Sequence, residues 1–128
     1  MKDFKQLKVW QKAHLLVLDV YRQTQSFPAE ERFGLTAHLL RSATSIPSNI
    51  AEGCGRDTDT ELARFLSIAA GSASETEYQL LLARDLDYLP ETRHQALDAQ
   101  VNEVKRMLNS FVQRLQHDTA PKRSRAPS

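Results

Sequence analysis

A glutamate and a histidine three residues apart share one face of a helix. Two such pairs, with two further glutamates, hold a di-metal centre inside a four-helix bundle. This chain offers one pair, Glu91 and His94, at the start of its last amphipathic segment. His14, His38 and His117 stand at no ligand spacing from that pair or from one another, so surface histidines are expected and no metal. Cys54 is alone, which excludes an internal disulfide and a zinc-type Cys/His set, and suits a reducing compartment. Within Gly53-Cys54-Gly55 it reads as a small residue in a helix-ending turn rather than a catalytic thiol. Serines crowd the stretch RSATSIPSNIAEGCGR (41–56), yet no histidine is placed to act as their base. No Gly-rich loop leads into Lys-Ser/Thr to cradle a phosphate. Catalysis, a cofactor and a small-molecule substrate are therefore not expected.

The same stretch carries a different signal. Arg41, Ser45, Asn49 and Glu52 follow one another at four, four and three, so they share a helical face. Leu39, Ala43, Ile46 and Ile50 form an apolar stripe beside it. Pro47 lacks a backbone donor and crowds the carbonyl four residues back, which predicts a bend near Thr44–Pro47. Ser45 and Ser48 are placed to help satisfy the group so freed. Glu75 stands near the middle of a face in the next segment, where an unpaired buried carboxylate would be costly, so Arg41 or Asn49 is its expected partner. Ser45, Asn49, Glu52 and Glu75 are thus read as a polar layer. Two readings stay open for it, a register-fixing device inside a bundle or a binding surface. Arg41, Arg56 and Arg64 flank the region, and with Lys122, Arg123 and Arg125 they are the candidate nucleic-acid contacts. Assembled copies would sum Arg41, Arg56 and Arg64 with Lys5, Lys8 and Lys12 into a ring of positive charge that binds phosphates by counterion release.

Four segments must position these residues. The first, about 7–27, repeats Trp10, Ala13, Val17, Val20 and Thr24 at three and four. Pro28-Ala29-Glu30-Glu31 reads as a helix start, and Gly34 separates it as a short turn from the main second helix, about 35–53. Gly53 and Gly55 suit a helix end, where glycine takes positive φ at no steric cost. Thr58 and Glu61 make a capping box for the third helix, which runs to about Leu86. One of its seams is Leu62, Leu66, Ala69, Ala73, Thr76, Leu80 and Ala83. The other is Phe65, Ile68, Ser72, Glu75, Gln79, Leu82 and Leu86, polar at its centre. The small residues 69–74 permit a close helix approach, from this chain or another copy. The fourth helix, about 90–116, carries Leu97, Val101, Val104, Leu108, Phe111 and Leu115 at alternating four and three. No segment alternates with period two. The expected fold is all-α, an antiparallel up-down four-helix bundle with a proline-kinked second helix, over residues 1–117. Residues 118–128, DTAPKRSRAPS, form an expected disordered basic tail.

The 128 residues make one domain large enough to bury a core. Its uncharged runs are shorter than the roughly 20 residues a membrane span needs, and MKDFKQLKVW lacks the apolar core of a secretory signal. A cytoplasmic setting without membrane contact is expected. The net charge of +1 is uneven: the first twelve residues carry +3, residues 118–128 carry +2, and residues 1–116 sum to −1.

Three strings carry a resemblance: Phe4-Lys5-Gln6-Leu7-Lys8-Val9-Trp10-Gln11-Lys12-Ala13, Ser45-Ile46-Pro47-Ser48-Asn49-Ile50-Ala51-Glu52-Gly53, and Arg64-Phe65-Leu66-Ser67-Ile68-Ala69-Ala70-Gly71-Ser72 with Glu75, Glu77 and Tyr88-Leu89. Over about residues 4–115 the chain resembles the bacterial four-helix-bundle proteins encoded within intervening sequences of 23S ribosomal RNA genes. The resemblance implies a small cytoplasmic homopentamer with no assigned enzymatic activity. The chain is also similar to the accessory protein of diversity-generating retroelements, a pentamer that binds nucleic acid and the reverse transcriptase. The family-pattern positions fall on Trp10, Asn49, Glu52, Gly53, Arg64, Phe65 and Glu75. RNA or an RNA-handling protein is the partner so implied, with an interaction scaffold that binds no nucleic acid as the alternative.

Overall fold

Apolar stripes at three and four residues drive each segment into a helix. The computed structural model describes residues 2–119, with α1 Lys8–Thr24, α2 Leu35–Cys54, α3 Asp59–Asp85 and α4 Glu91–Thr119. Short 3-10 turns, Phe4–Gln6 and Ala29–Glu31, precede α1 and α2, and no strand occurs among the described residues. Asp118 and Thr119, expected in the tail, continue α4, while 120–128 lie outside the described residues. The expected seams close the core. All seven positions of the first α3 seam are buried, as are Leu97, Val101, Val104, Leu108 and Leu115 of α4. Of the α1 stripe, Trp10 is only half-buried; its ring meets Phe4 edge-on at 4.9 Å and stacks on His14 at 5.0 Å. Leu16, outside the expected stripe, is wholly buried instead.

Side chains do the capping. Thr58 Oγ1 accepts the Glu61 N–H at 3.1 Å, one half of the capping box. The Glu61 carboxylate turns to Arg64 rather than back to residue 58. At the start of α2, Gly34 offers no side chain, and Glu31 substitutes for a cap. Its Oε1 accepts the Leu35 N–H at 3.0 Å, and its Oε2 accepts the Tyr88 hydroxyl at 2.9 Å. Tyr88 also lies on Phe27, ring to ring at 5.7 Å. The Leu35 N–H, and after it the Tyr88 hydroxyl, hold the Glu31 carboxyl below its ordinary pKa; the tyrosine is raised in return, chiefly by that same bond. Between α3 and α4, Glu77 takes Lys105 Nζ at 2.8 Å and Asn102 Nδ2 at 3.1 Å.

Two expectations about α2 change. The helix runs through Pro47 to Cys54 without relief from Ser45 or Ser48: Ser45 bonds across to α3 and Ser48 is exposed. Its glycines do not supply a left-handed turn either, because no glycine has positive φ and the cap Gly55 sits at φ −85°. Gly53 matters for space. A Cβ built there would lie 2.9 Å from Phe65 Cβ and 3.0 Å from Leu62 Cδ1, so the α2 backbone lies against α3 side chains where a further side chain does not fit. The left-handed residue is Asp87, φ 63°, which closes α3 in a Schellman pattern with Tyr88 N on Ala83 O at 2.9 Å and Asp87 N on Arg84 O at 2.9 Å.

Gly53→Ala is therefore expected to cost about 1–3 kcal/mol by overpacking, read as a lower midpoint in urea with an unchanged slope. A carboxyl with a depressed folded pKa contributes stability above its unfolded value and loses it as pH falls through the folded value. The Glu31→Gln variant should accordingly melt below the wild type at pH 7, and the gap should close as pH drops beneath the ordinary carboxylate range. A gap independent of pH would refute the role of the charge.

Candidate functional site

The polar residues of α2 meet those of α3 in two hydrogen-bonded chains. In the buried one, the Thr76 hydroxyl donates to Ser42 Oγ at 2.9 Å, and Ser42 donates to Gln79 Oε1 at 2.7 Å. Gln79 Nε2 then reaches Glu75 Oε2 at 3.3 Å. Each hydroxyl has one proton, so this direction satisfies every member in turn and ends on a solvated carboxylate. The helix carbonyls of Ser72 and Leu39 are the competing acceptors for Thr76 and Ser42. Ser42, Thr76 and Gln79 are each at least nine-tenths buried. In the outer chain, Asn49 Nδ2 donates to Ser45 Oγ at 2.9 Å and also contacts the Ser45 carbonyl at 2.9 Å, leaving the Ser45 hydroxyl for Ser72 Oγ at 2.8 Å.

The expected layer of Ser45, Asn49, Glu52 and Glu75 is thus not one unit. Ser45 and Asn49 come together, Glu75 joins the other chain by its edge, and Glu52 faces solvent. Neither Arg41 nor Asn49 partners Glu75. Glu75 is exposed, so it needs no buried counter-charge, and Gln79 one turn on is its hydrogen-bond partner. Sequence reasoning missed Ser42 and placed Thr76 in an apolar seam. The available signal was that Ser42 and Thr76 break two otherwise apolar stripes.

The candidate arginines also separate. Arg56 pairs with Glu52 at 2.8 Å, and Arg64 forks onto Glu61 at 3.1 and 3.3 Å. Both guanidinium groups lie over the buried Phe65 ring, at 4.8 and 4.5 Å from its centroid. The Arg64 hydrogen bond holds the Glu61 carboxyl below its ordinary pKa, and the guanidinium is correspondingly raised. Arg41 is exposed and makes no ion pair among the described residues. Lys122, Arg123 and Arg125 lie outside the described residues. Beside Asn49 and Ser72 the surface is smooth and partly apolar. Ile68 is 41% exposed, and a Cβ at Gly71 would meet nothing within 4 Å.

Glu91 and His94 do not converge. Glu91 is exposed near Arg84, whereas His94, expected at the surface, is 7% exposed with both ring nitrogens unpartnered among the described residues. With Ser74, Tyr78 and Leu81 of α3 it lines a cleft between α3 and the start of α4. No cluster of three or more His, Cys, Asp or Glu side chains able to hold a metal forms among the described residues. Burial pushes the Cys54 thiol above its ordinary pKa, away from thiolate reactivity. Among the described residues no helix is long and apolar enough to cross a membrane.

Residues 5–110 match the family model described as 23S rRNA-intervening sequence protein. The chain belongs to that family. A solved structure similar to this chain is the crystal structure of a protein of unknown function from the S23 ribosomal protein family of Bacteroides thetaiotaomicron. It is 26% identical, with a TM-score of 0.76, over 81% of this chain and 97% of that one. No curated protein matches. The family match covers both polar chains, the Gly53–Phe65 contact and the paired arginines.

Ser42→Ala removes the relay's middle member and strands the Gln79 carbonyl, at an expected cost of about 1–3 kcal/mol. Glu75→Gln, at an exposed position, should stay within about 0.5 kcal/mol. Urea melts of the two variants side by side check this order, and equal losses would show the buried chain to be irrelevant.

Proposed function

We propose that this chain is a non-enzymatic, oligomeric helical bundle that acts by binding RNA or an RNA-handling partner. The observation that carries the reading is the α2–α3 outer face. There Ile68, the open Gly71 and the half-buried Asn49–Ser45–Ser72 chain offer a partly apolar surface that another copy can cover. Membership in a family named for its intervening sequences in 23S rRNA supports the association with RNA. A homopentamer in the cytoplasm is the assembly and setting that the resemblance implies. In it Arg41 and the tail residues Lys122, Arg123 and Arg125 are the phosphate contacts, with Arg56 and Arg64 as secondary ones.

Within the protomer we infer an antiparallel up-down arrangement. Ser42 meets Gln79, Ser45 meets Ser72 and Gly53 meets Phe65, so positions fall along α3 as they rise along α2. Arg84–Glu91 with Glu77–Lys105, and Asp19–Gln100 with Lys12–Glu103, follow the same falling order for α4 against α3 and α1. A bend in α2 follows from Pro47, which leaves the Ala43 carbonyl without its helical donor.

One observation favours the second reading, a protein-interaction scaffold. Arg56 and Arg64 already have carboxylate partners, so phosphate binding there must compete with Glu52 and Glu61. An electrophoretic shift assay with single-stranded RNA across a salt series separates the two. Binding that falls as salt rises, and falls further on Arg41→Ala or deletion of residues 120–128, is expected. No shift at low salt would favour the scaffold. Light scattering on the same samples is expected to give five copies per particle, and a monomer would overturn the assembly.

A further inference from the structure

At the opening of α1 the bundle leaves a cleft of about 420 Å³ against the last turns of α4. Its floor is apolar: Leu7, Val9, Met107 and Phe111. Val9 is buried and the other three are half-buried, so this surface is only partly covered by the fold's own packing. Its rim is cationic: Lys8, Arg106 and Arg114, all exposed. Whereas Lys12, Arg56, Arg64 and Lys105 each meet a carboxylate, none of these three has an ion-pair partner among the described residues. The Arg114 guanidinium is instead held 5.3 Å over the Phe111 ring.

We propose that this cleft docks a short acidic amphipathic helix of a partner protein. An apolar floor between cations matches a helix whose apolar stripe is flanked by glutamate or aspartate, the arrangement by which a helix seats in a groove. The span fits: Arg114 follows Arg106 by eight positions, about 12 Å of helix, which accommodates about two turns of a partner. The chain's own tail is the wrong occupant, because Lys122, Arg123 and Arg125 carry the same sign as the rim. RNA would satisfy the rim but leave the floor unused, and the one ring there has Arg114 over its face. This surface lies on α1 and α4, away from the α2–α3 face, and the inference does not rest on the RNA reading.

The test uses the full chain and a fluorescein-labelled peptide of about 14 residues, with leucine at i, i+3, i+4 and i+7 and glutamate elsewhere. A matched peptide with lysine in place of glutamate is the control. Fluorescence anisotropy should show the acidic peptide binding, weakening with salt, and losing about tenfold or more in affinity with the Arg106→Glu/Arg114→Glu double variant. Met107→Ala should weaken it as well, which attraction to surface charge alone would not do. Both arginines are exposed, so the double variant should keep the wild-type melt. No binding of the acidic peptide at low salt, equal binding of the lysine peptide, or affinity unchanged by either variant would overturn the proposal. If a short oligouridylate binds and depends on Arg106 and Arg114 while the acidic peptide does not bind, the occupant is nucleic acid and the proposal also fails.

Discussion

Helices α2 and α3 approach so closely at Gly53 that no Cβ fits between them, and that contact sets the depth of everything packed along the pair. Further along the pair, several side chains are small or hydrogen-bonded. Ser42, Ser45, Ser72, Ala69, Ala73 and Thr76 are what the sequence supplies. The buried hydroxyl chain follows from the same constraint. A Ser–Thr–Gln relay joins the two helices there, each donor meeting an acceptor in this register. Phe65 fills the space beside the contact, and two arginines close over its ring.

The paired arginines show how charge is distributed. Arg56 and Arg64 read as cations from sequence, but each has an acid one helical turn away, and local pairing cancels much of the field they would project. Cations left without a described carboxylate partner include Arg41 on α2 and the rim of the α1–α4 cleft. The near-neutral body is therefore a mosaic of neutralised and active positive sites, which a net charge cannot distinguish.

Much of the fold was legible because helical periodicity and caps are local. The α3 seam, the α4 heptad and the Thr58 cap were each readable from spacing, and the boundaries of α2 and α3 fell within a residue or two. The family strings likewise marked Asn49, Gly53, Arg64 and Phe65 as positions of interest. What escaped was non-local. Glu75 looked buried because it stands mid-seam between apolar ends, Phe65 and Ile68 before it and Leu82 and Leu86 after it, yet it is exposed. Gly53 looked like a stop signal because glycine's backbone freedom is visible in sequence, while the Phe65 and Leu62 side chains it must clear are not. His94 looked like a surface histidine because nothing in its own segment announces that α3 crosses over it. The buried chain itself needs partners 34 and 37 residues apart, beyond the reach of any periodicity.

The latch made by Tyr88 has a kinetic meaning. Its hydroxyl on Glu31 joins positions 57 residues apart, and its ring rests on Phe27, so the α1–α2 and α3–α4 connections are fastened to each other by one side chain. Neither connection can fray without releasing its counterpart, which makes that end of the molecule a single cooperative opening unit. Amide exchange at the first turn of α2 and at the Schellman close of α3 should then share one free energy of opening, although the two sites belong to different halves of the chain.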